Sequence, residues 1–210
     1  VFSPHPLFDN YSVPVSRAEA VVKLKLCPAD RFILFFGFIR EYKGLDLLLR
    51  AMAEQCVRDL GVKLIVAGEF YEDEKPYFDM IHRLEIADKI TFHSHFISDD
   101  EVKYYFSAAS LVVQPYRSAT QSGVTQVAYH FNKPMIVTNV GGLAEIVPDG
   151  VCGYVVEPEP AAIAGAICRF FSGDEHRFTP GIEEKKKEYS WDRLTEALRS
   201  LAREVRKKRQ

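Results

Sequence analysis

The sequence lacks two features: an apolar run long enough to cross a membrane, and an excess of charge of either sign. None of its apolar runs approaches the ~20 residues that a transmembrane helix needs. Its 27 Lys and Arg residues are balanced by 29 Asp and Glu residues, so the formal net charge is -2. A charge this small creates no long-range field toward nucleic acid or an anionic membrane. We therefore expect no nucleic-acid partner, and membrane contact is not indicated.

Paired cysteines are also missing. The four cysteines are far apart in the chain and form no C-x-x-C pair: Cys27, Cys56, Cys152 and Cys168. This spacing argues against zinc and thioredoxin-like motifs. Because each cysteine stands in an apolar or mixed stretch, we expect four buried free thiols. Free thiols favour a reducing compartment, and the sequence shows no signal-peptide pattern, so we predict a cytoplasmic location.

Several common catalytic motifs are absent as well. The chain has neither G-x-G-x-x-G nor a Walker A sequence, which argues against a dinucleotide dehydrogenase and a P-loop NTPase. No Ser/His/Asp set or carboxylate pair is evident, so the catalytic residues stay unassigned. His93 and His95 are two positions apart with no Cys, Asp or Glu between them, and we predict no metal site there.

What the sequence does contain is a regular alternation of short apolar runs and amphipathic stretches. The runs predict strands at Phe32–Phe36, Lys63–Ala67, Ile90–Phe92, Leu111–Gln114, Met135–Thr138 and Gly153–Val156. The stretches predict helices at Leu45–Arg58, Tyr77–Leu84, Asp99–Ala109, Val124–Phe131, Leu143–Val147 and Ala161–Ser172. Continuous apolar runs are typical of strands buried on both faces. The pattern predicts an α/β fold with a doubly wound, mostly parallel six-stranded sheet of the Rossmann type.

The two ends of the chain differ from this central pattern. Residues 1–15 contain three prolines and no helical period, so we predict an interdomain linker or a docked arm. Ser16 and Glu19 fit a capping box that starts a helix ending near Leu26. Residues 16–180 are predicted to form one domain, and residues 181–210 a helical extension. Because the chain opens with Val rather than Met, we expect it to be part of a longer polypeptide.

The C-terminal extension ends in a strongly basic amphipathic helix that Ser190 can cap. Its basic face either contacts a membrane or an acidic partner, or is solvated. We favour the solvated face, because few bulky apolar residues stand on the opposite side.

The first strand leads directly into a basic loop. Gly37 follows the apolar run, and Arg40 and Lys43 come just before the amphipathic stretch that begins at Leu45. A helix N-terminus has unpaired N–H groups and partial positive charge, so two cations beside it favour phosphate or diphosphate. The alternative is a solvated loop that happens to be basic.

The loop after the fourth strand is rich in hydroxyl groups. Thr120, Ser122 and Gly123 precede a predicted helix, and small residues let backbone N–H groups approach an anion closely. In a parallel sheet this loop lies at the same edge as Arg40 and Lys43. A diphosphate held between two helix N-termini and two cations needs no metal to balance its charge. The alternative is a polar loop with a Ser cap.

Four segments together resemble a known family. They are Phe36-Gly37-(x5)-Lys43-Gly44, Val66-Ala67-Gly68, Ala109-Ser110-Leu111-Val112-Val113-Gln114-Pro115, and the run from Lys133 to Val147. In this order they resemble the C-terminal, donor-binding half of GT-B glycosyltransferases of the "glycosyl transferases group 1" type. The resemblance covers about residues 31–172.

The resemblance implies transfer of a sugar from a nucleotide-diphosphate sugar to an acceptor, with retention of configuration and without a bound metal or another cofactor. Two Rossmann-like domains then face each other across a cleft, and this chain corresponds to one half. The implied partners are a nucleotide sugar and an N-terminal acceptor-binding domain. We expect the isolated chain to fold without transferring sugar.

Individual positions follow from the resemblance. Lys43 matches the family's diphosphate lysine, whereas the family's arginine position is occupied by Phe38, and the nearest cation is Arg40. Gly123 and Val124 match the turn whose N–H groups face the diphosphate. Further contacts to the nucleotide or the sugar are implied for Gly37, His93, Thr120, Gln121, Ser122 and Gln126.

The largest departure concerns two glutamates that the family often has. Ala119 and Val127 stand at those positions, with Thr120 and Gln126 beside them. Hydroxyl and amide groups therefore replace carboxylates as candidate contacts. Two alternatives stay open: a GT-B sugar-nucleotide epimerase, and a nucleotide-sugar-binding module without activity.

Overall fold

One parallel sheet forms the centre of the computed structural model, which describes residues 6–8 and 11–208. Its strands are β1 Phe32–Phe36, β2 Lys63–Ala67, β3 Ile90–His93, β4 Leu111–Gln114, β5 Met135–Thr138 and β6 Gly153–Val156. The spatial order is β3-β2-β1-β4-β5-β6, and every pairing is parallel. This confirms the predicted fold. β3 is one residue longer than expected, because His93 pairs with Ala67 of β2.

Helices flank this sheet, as expected for strands buried on both faces. They are α1 Arg17–Lys23, α2 Leu45–Ala53, α3 Gln55–Leu60, α4 Lys75–Arg83, α5 Asp99–Ala108, α6 Gly123–His130, α7 Leu143–Ile146, α8 Pro160–Phe171, α9 Thr179–Glu188 and α10 Trp191–Lys208. α1 packs on α5, whereas α2 and α3 pack on α8. None of the helices within the described ranges is long and apolar enough to span a membrane.

The core lies between the sheet and these helices. Leu34, Val66, Val112 and Ile136 come from four neighbouring strands, and each is at most 1% exposed. Burial of such side chains stabilises the fold by ~1.5–3 kcal/mol each relative to full exposure. The packed sheet fixes where the loops at its carboxyl edge begin.

The helix predicted over Leu45–Arg58 is wrong, because two helices occupy this range. Glu54 has an extended backbone (φ -62°, ψ 139°) and separates α2 from α3. The Arg58 guanidinium donates from Nε to the Ala53 carbonyl at 2.8 Å and from Nη2 to the Leu84 carbonyl. A side chain thus supplies the partner that the last carbonyls of a helix lack.

Two helix starts are capped by serine side chains, and of the capping box expected at Ser16 one of the two hydrogen bonds is present. Ser16 Oγ accepts a hydrogen bond from the Glu19 N–H at 3.2 Å, although α1 ends at Lys23, before the predicted Leu26. A full capping box at Ser98 was not predicted: the Ser98 N–H and hydroxyl both donate to the Glu101 carboxylate, at 3.2 and 2.7 Å.

The expectation of four buried thiols is wrong for two of them. Cys152 is buried and Cys168 half-buried, but Cys27 and Cys56 are exposed. Cys56 precedes Val57, which is 1% exposed, on a helix where neighbouring residues point in different directions. An apolar neighbour therefore does not place a cysteine in the core. The cytoplasmic location stays a prediction.

The two C-terminal helices are packed differently. α9 is anchored by Ile182 and Tyr189, which are 0 and 4% exposed, and the Tyr189 hydroxyl donates to the Ile146 carbonyl at 3.2 Å. On α10, Trp191 and Leu198 are 49 and 58% exposed. The Ser190 cap is confirmed, since its Oγ accepts from the Arg193 N–H at 3.3 Å.

Candidate functional site

A cavity of about 810 Å³ opens at the carboxyl edge of the sheet. It lies where the strand order reverses between β1 and β4, which is the usual ligand site of a doubly wound sheet. Its walls are the loops after β1, β2, β3 and β4, the starts of α5 and α6, and part of the N-terminal segment. Of the residues predicted for the site, it is lined by Gly37, Lys43, Thr120, Gln121, Ser122, Gly123 and Val124.

Three of these residues meet at one point. A Cβ atom built on Gly37 would lie 3.1 Å from Lys43 Nζ and 3.6 Å from Val124 Cγ2. The backbone of the first loop, the Lys43 ammonium and the first turn of α6 are therefore neighbours. The structure places Lys43 and Gly123 on the same side of the sheet, which the diphosphate hypothesis requires.

Two glycines set the positions of the loops around the cavity. Gly44 (φ +66°) lies so close to the fourth loop that a Cβ atom would be 2.0 Å from the Pro115 carbonyl oxygen. A Cβ atom built on Gly141 (φ +52°) would likewise be 1.4 Å from the Ala119 carbonyl oxygen. Only glycine combines a positive φ with so close an approach of two backbones. These contacts hold the Lys43 loop against Pro115, and the Ala119 loop against Gly141.

Lys43 is a buried cation, and no acid in the described part of the chain neutralises its charge. Lys43 is only 8% exposed. Burial lowers the pKa of Lys43 to about 8, and the nearby charge of Arg40 is a second cause. Nζ lies 5.7 Å from the centroid of the Tyr116 ring. Among the residues that the structure describes, no carboxylate forms an ion pair with Lys43. A buried charge without a partner is costly, so this site favours an anion.

Arg40 does not line the cavity. Its guanidinium lies over the Tyr71 ring, 4.5 Å from the ring centroid. The Phe38 ring also packs against Tyr71, with 4.7 Å between the two ring centroids. A cation over an aromatic face is stabilised by the ring quadrupole. Sequence reasoning missed Tyr71, whose place after β2 gave no sign of this contact.

The fourth loop contributes neutral polar groups. Ser122 is 7% exposed, and its Oγ lies 3.3 Å from the Tyr116 hydroxyl, so Ser122 does not cap α6 through its side chain. Burial raises the pKa of Tyr116, which keeps the phenol neutral. α6 begins at Gly123, and its first N–H groups have no partner within the helix.

His93 and Gln126 are not among the lining residues. The His93 ring lies 5.2 Å from the Tyr105 ring, and burial, together with the charge of His95, lowers the pKa of His93. His93 Nε2 and Gln126 Oε1 are buried, and neither has a hydrogen-bond partner within the described part of the chain. The structure therefore leaves both outside the cavity. No group of three metal-binding side chains occurs within residues 6–8 and 11–208.

The N-terminal segment supplies lining residues that the sequence analysis did not predict. Phe8 and Tyr11 border the cavity, and the Leu7 N–H donates to the Tyr189 carbonyl at 2.9 Å. The described part of the predicted arm is thus docked on the domain. Two aromatic side chains in a proline-rich segment were the available signal for such docking.

Comparison with known proteins gives consistent results. A family model described as "Glycosyl transferases group 1" matches residues 30–172. D-inositol 3-phosphate glycosyltransferase of Streptomyces griseus is 32% identical over 89% of this chain and 42% of its own length. An uncharacterized glycosyltransferase of Methanocaldococcus jannaschii is 31% identical over 79% of this chain and 43% of its own length.

Solved structures show the same fold. Sucrose-phosphate synthase from Thermosynechococcus elongatus superimposes with a TM-score of 0.76 at 23% identity, over 96% of this chain and 51% of its own. HepE of Anabaena, solved with UDP and glucose, gives a TM-score of 0.66 at 19% identity, over 91% of this chain and 56% of its own. This chain spans about half the length of the curated relatives it matches.

Proposed function

Because this chain belongs to the glycosyl transferases group 1 family, we propose that it is the donor-binding part of an enzyme that moves a sugar from a nucleoside-diphosphate sugar to an acceptor. One observation carries the proposal. Lys43, a buried cation with no acidic partner in the described residues, adjoins the first turn of α6 in a cavity of about 810 Å³.

The diphosphate is the part of the donor that this corner of the cavity suits best. Its negative charge is complementary to the Lys43 ammonium, and the N–H groups of Gly123 and Val124 at the start of α6 can donate to its oxygens. Charge-assisted hydrogen bonds of this kind are stronger than neutral ones. In this proposal the lysine and the helix end balance the diphosphate charge, so that no bound metal is needed.

The same groups would assist the chemical step. When the bond between the sugar and the diphosphate breaks, negative charge develops on the leaving diphosphate. In this proposal Lys43 and the two N–H groups stabilise that charge, and loss of one such donor typically costs ~3–4 kcal/mol of barrier. Retention of configuration, an N-terminal acceptor-binding domain and a cytoplasmic location belong to the proposal. UDP and glucose in the Anabaena structure support a nucleotide sugar as the substrate class.

A binding module without catalytic activity is the second candidate. Ala119 and Val127 both line the cavity, Val127 is 3% exposed, and neither side chain can accept a proton or stabilise positive charge on a sugar. These are the positions at which the family often has glutamates. Nucleotide binding is expected in both cases, whereas transfer of a labelled sugar by the whole protein is expected only for the enzyme.

Calorimetric titration of this chain with UDP, GDP and ADP tests the proposal. We expect one of them to bind, and Lys43→Ala to weaken its binding at least ~10-fold, since a hydrogen bond to a charged group contributes ~1.5–3 kcal/mol. Lys187→Ala is the matched control, because this lysine pairs with Glu184 on the surface and its side chain is 73% exposed. No heat with any nucleotide, or equal affinities of Lys43→Ala and wild type, would count against the diphosphate site.

A further inference from the structure

The N-terminal segment is fastened along the edge of the cavity at several points. Besides the Leu7 bond to Tyr189, the Val15 N–H donates to Ser107 Oγ at 3.2 Å. The Tyr11 ring lies 6.3 Å from the His130 ring of α6 and 6.4 Å from the Phe8 ring. Residues before and after Phe8 in the sequence are therefore bound to the domain, and these contacts hold the Phe8 ring in place.

Phe8 is placed against the start of α6. A Cβ atom on Gly123 would lie 3.2 Å from Phe8 Cε2 and 3.7 Å from Cζ, so glycine at position 123 leaves room for the ring. The next residue, Val124, borders Gly37, which adjoins Lys43 Nζ. In the first turn of α6, Gly123 thus contacts the Phe8 ring, and the next residue, Val124, contacts the loop that holds Lys43.

The wall around Phe8 is apolar. Ala119, Val124, Val127 and Tyr11 line the same cavity as Phe8, and the polar side chains of Thr120, Gln121 and Ser122 are uncharged. An acid on this side is Asp99 at the start of α5: burial raises the pKa of Tyr11, and the charge of Asp99 is a second cause. A sugar attached to a diphosphate at the α6 N-terminus is within reach of this wall, because Phe8 adjoins Gly123, the first residue of that helix. A sugar ring has C–H groups on its faces, and an aromatic side chain removes them from water without requiring a hydrogen bond.

We propose that Phe8 forms one wall of the donor-sugar subsite and packs on a C–H face of the sugar. The inference rests on the proposed function, because the sugar is located through the diphosphate. It assigns a specificity role to the N-terminal segment rather than to the sheet loops. It also assigns the sugar an apolar surface where the family often has carboxylates, which favours donors that present few hydroxyl groups toward Ala119 and Val127, since an unpaired buried hydroxyl is costly.

The test compares each nucleoside diphosphate with its sugar conjugate on this chain. Calorimetry with UDP and UDP-glucose, GDP and GDP-mannose, and ADP and ADP-glucose identifies the base and gives the affinity ratio of conjugate to diphosphate. We expect Phe8→Ala to lower the affinity for the conjugate by about 5- to 10-fold, as for loss of an aromatic contact, and to leave the diphosphate unchanged. Phe8→Tyr keeps the ring and is expected to retain the ratio.

Val13→Ala is the matched control, because Val13 belongs to the same segment and is 78% exposed. Equal losses for diphosphate and conjugate, no loss for either, or tighter binding of both would each overturn the role of Phe8. A wild-type chain that binds no nucleotide at all would instead overturn the proposed function itself. The two failures are therefore distinguishable in one set of titrations.

Discussion

At the scale of single residues, the buried ammonium of Lys43 makes ligand binding depend on pH. Its pKa is lowered to about 8, so the charged form dominates at pH 7 and falls to about one tenth at pH 9. A bound diphosphate favours the charged form, and its own second ionisation is complete above about pH 7. We expect the affinity for a nucleoside diphosphate to fall about tenfold between pH 7 and pH 9, measured by calorimetry in a constant ionic strength.

Lys43→Arg is the control for this pH dependence. A guanidinium stays charged throughout this range. The affinity of this variant for the nucleoside diphosphate is expected to change little between pH 7 and pH 9. This holds whether or not the larger guanidinium lowers the affinity at the two pH values. An unchanged wild-type affinity across the range, or the same tenfold fall in Lys43→Arg, would show that Lys43 is not the group that titrates.

The residue types of the site were predictable from the sequence, but their orientations were not. Lys43 follows a buried strand and precedes a helix, and this order alone places it at the carboxyl edge of the sheet. Arg40 has the same sequence context, yet its guanidinium lies over Tyr71. The choice between the cavity and the ring depends on a side chain from another loop, which no local pattern reveals.

At the scale of secondary structure, the strands were predictable and the helix ends less so. Five strands have the predicted bounds, since a short apolar run bounded by polar residues leaves little freedom in a parallel sheet. The break at Glu54 had no such signal. It depends on Arg58, which bonds to the Ala53 and Leu84 carbonyls, and Leu84 is 26 residues away from it.

The glycine contact between two loops gives an element-scale prediction. In Gly141→Ala the new Cβ atom meets the Ala119 carbonyl at 1.4 Å, and φ is +52°, so either the loop moves or the backbone is strained. We expect a loss of ~2–4 kcal/mol in the free energy of unfolding, measured by urea denaturation. Gly165→Ala is the matched substitution, because Gly165 is inside α8 and nothing lies within 4 Å of its Cβ position.

Gly165→Ala is expected to stabilise the chain by ~0.5–1 kcal/mol, since alanine has the higher helix propensity. Similar unfolding free energies for the two variants would contradict the view that the Ala119 loop is fixed by a backbone contact. Such a result would also weaken the argument that the cavity wall is rigid before a ligand binds.

At the scale of the whole molecule, the sequence predicted which loops meet but not how the chain ends contribute. The loops that follow β1, β2, β3 and β4 converge because all strands are parallel and the order reverses between β1 and β4. The segment around Phe8 has no periodic pattern, so its docking depends on tertiary contacts alone. The predicted boundary at residue 181 lies inside α9, which begins at Thr179, and it stays a prediction. The two C-terminal helices, α9 and α10, are packed very differently.

This difference predicts how the molecule responds to truncation. The described side chains of α10, from Trp191 to Arg203, are exposed or half-buried, whereas most of a helix's stability in a protein comes from packing of its apolar face. A chain that ends at Ser190 is therefore expected to lose less than ~1 kcal/mol of unfolding free energy. Ile182→Ala, in α9, is expected to cost ~2–4 kcal/mol, because that side chain is 0% exposed.

Hydrogen exchange provides an independent measurement of the same property. Backbone amides of α10 are expected to exchange faster than those of α6, since few buried contacts oppose local opening of the former. If instead truncation at Ser190 costs as much as Ile182→Ala and the α10 amides are protected, then the exposed faces of Trp191, Leu198 and Leu201 are covered in solution. The helix would then be part of the cooperative unit that also contains the cavity.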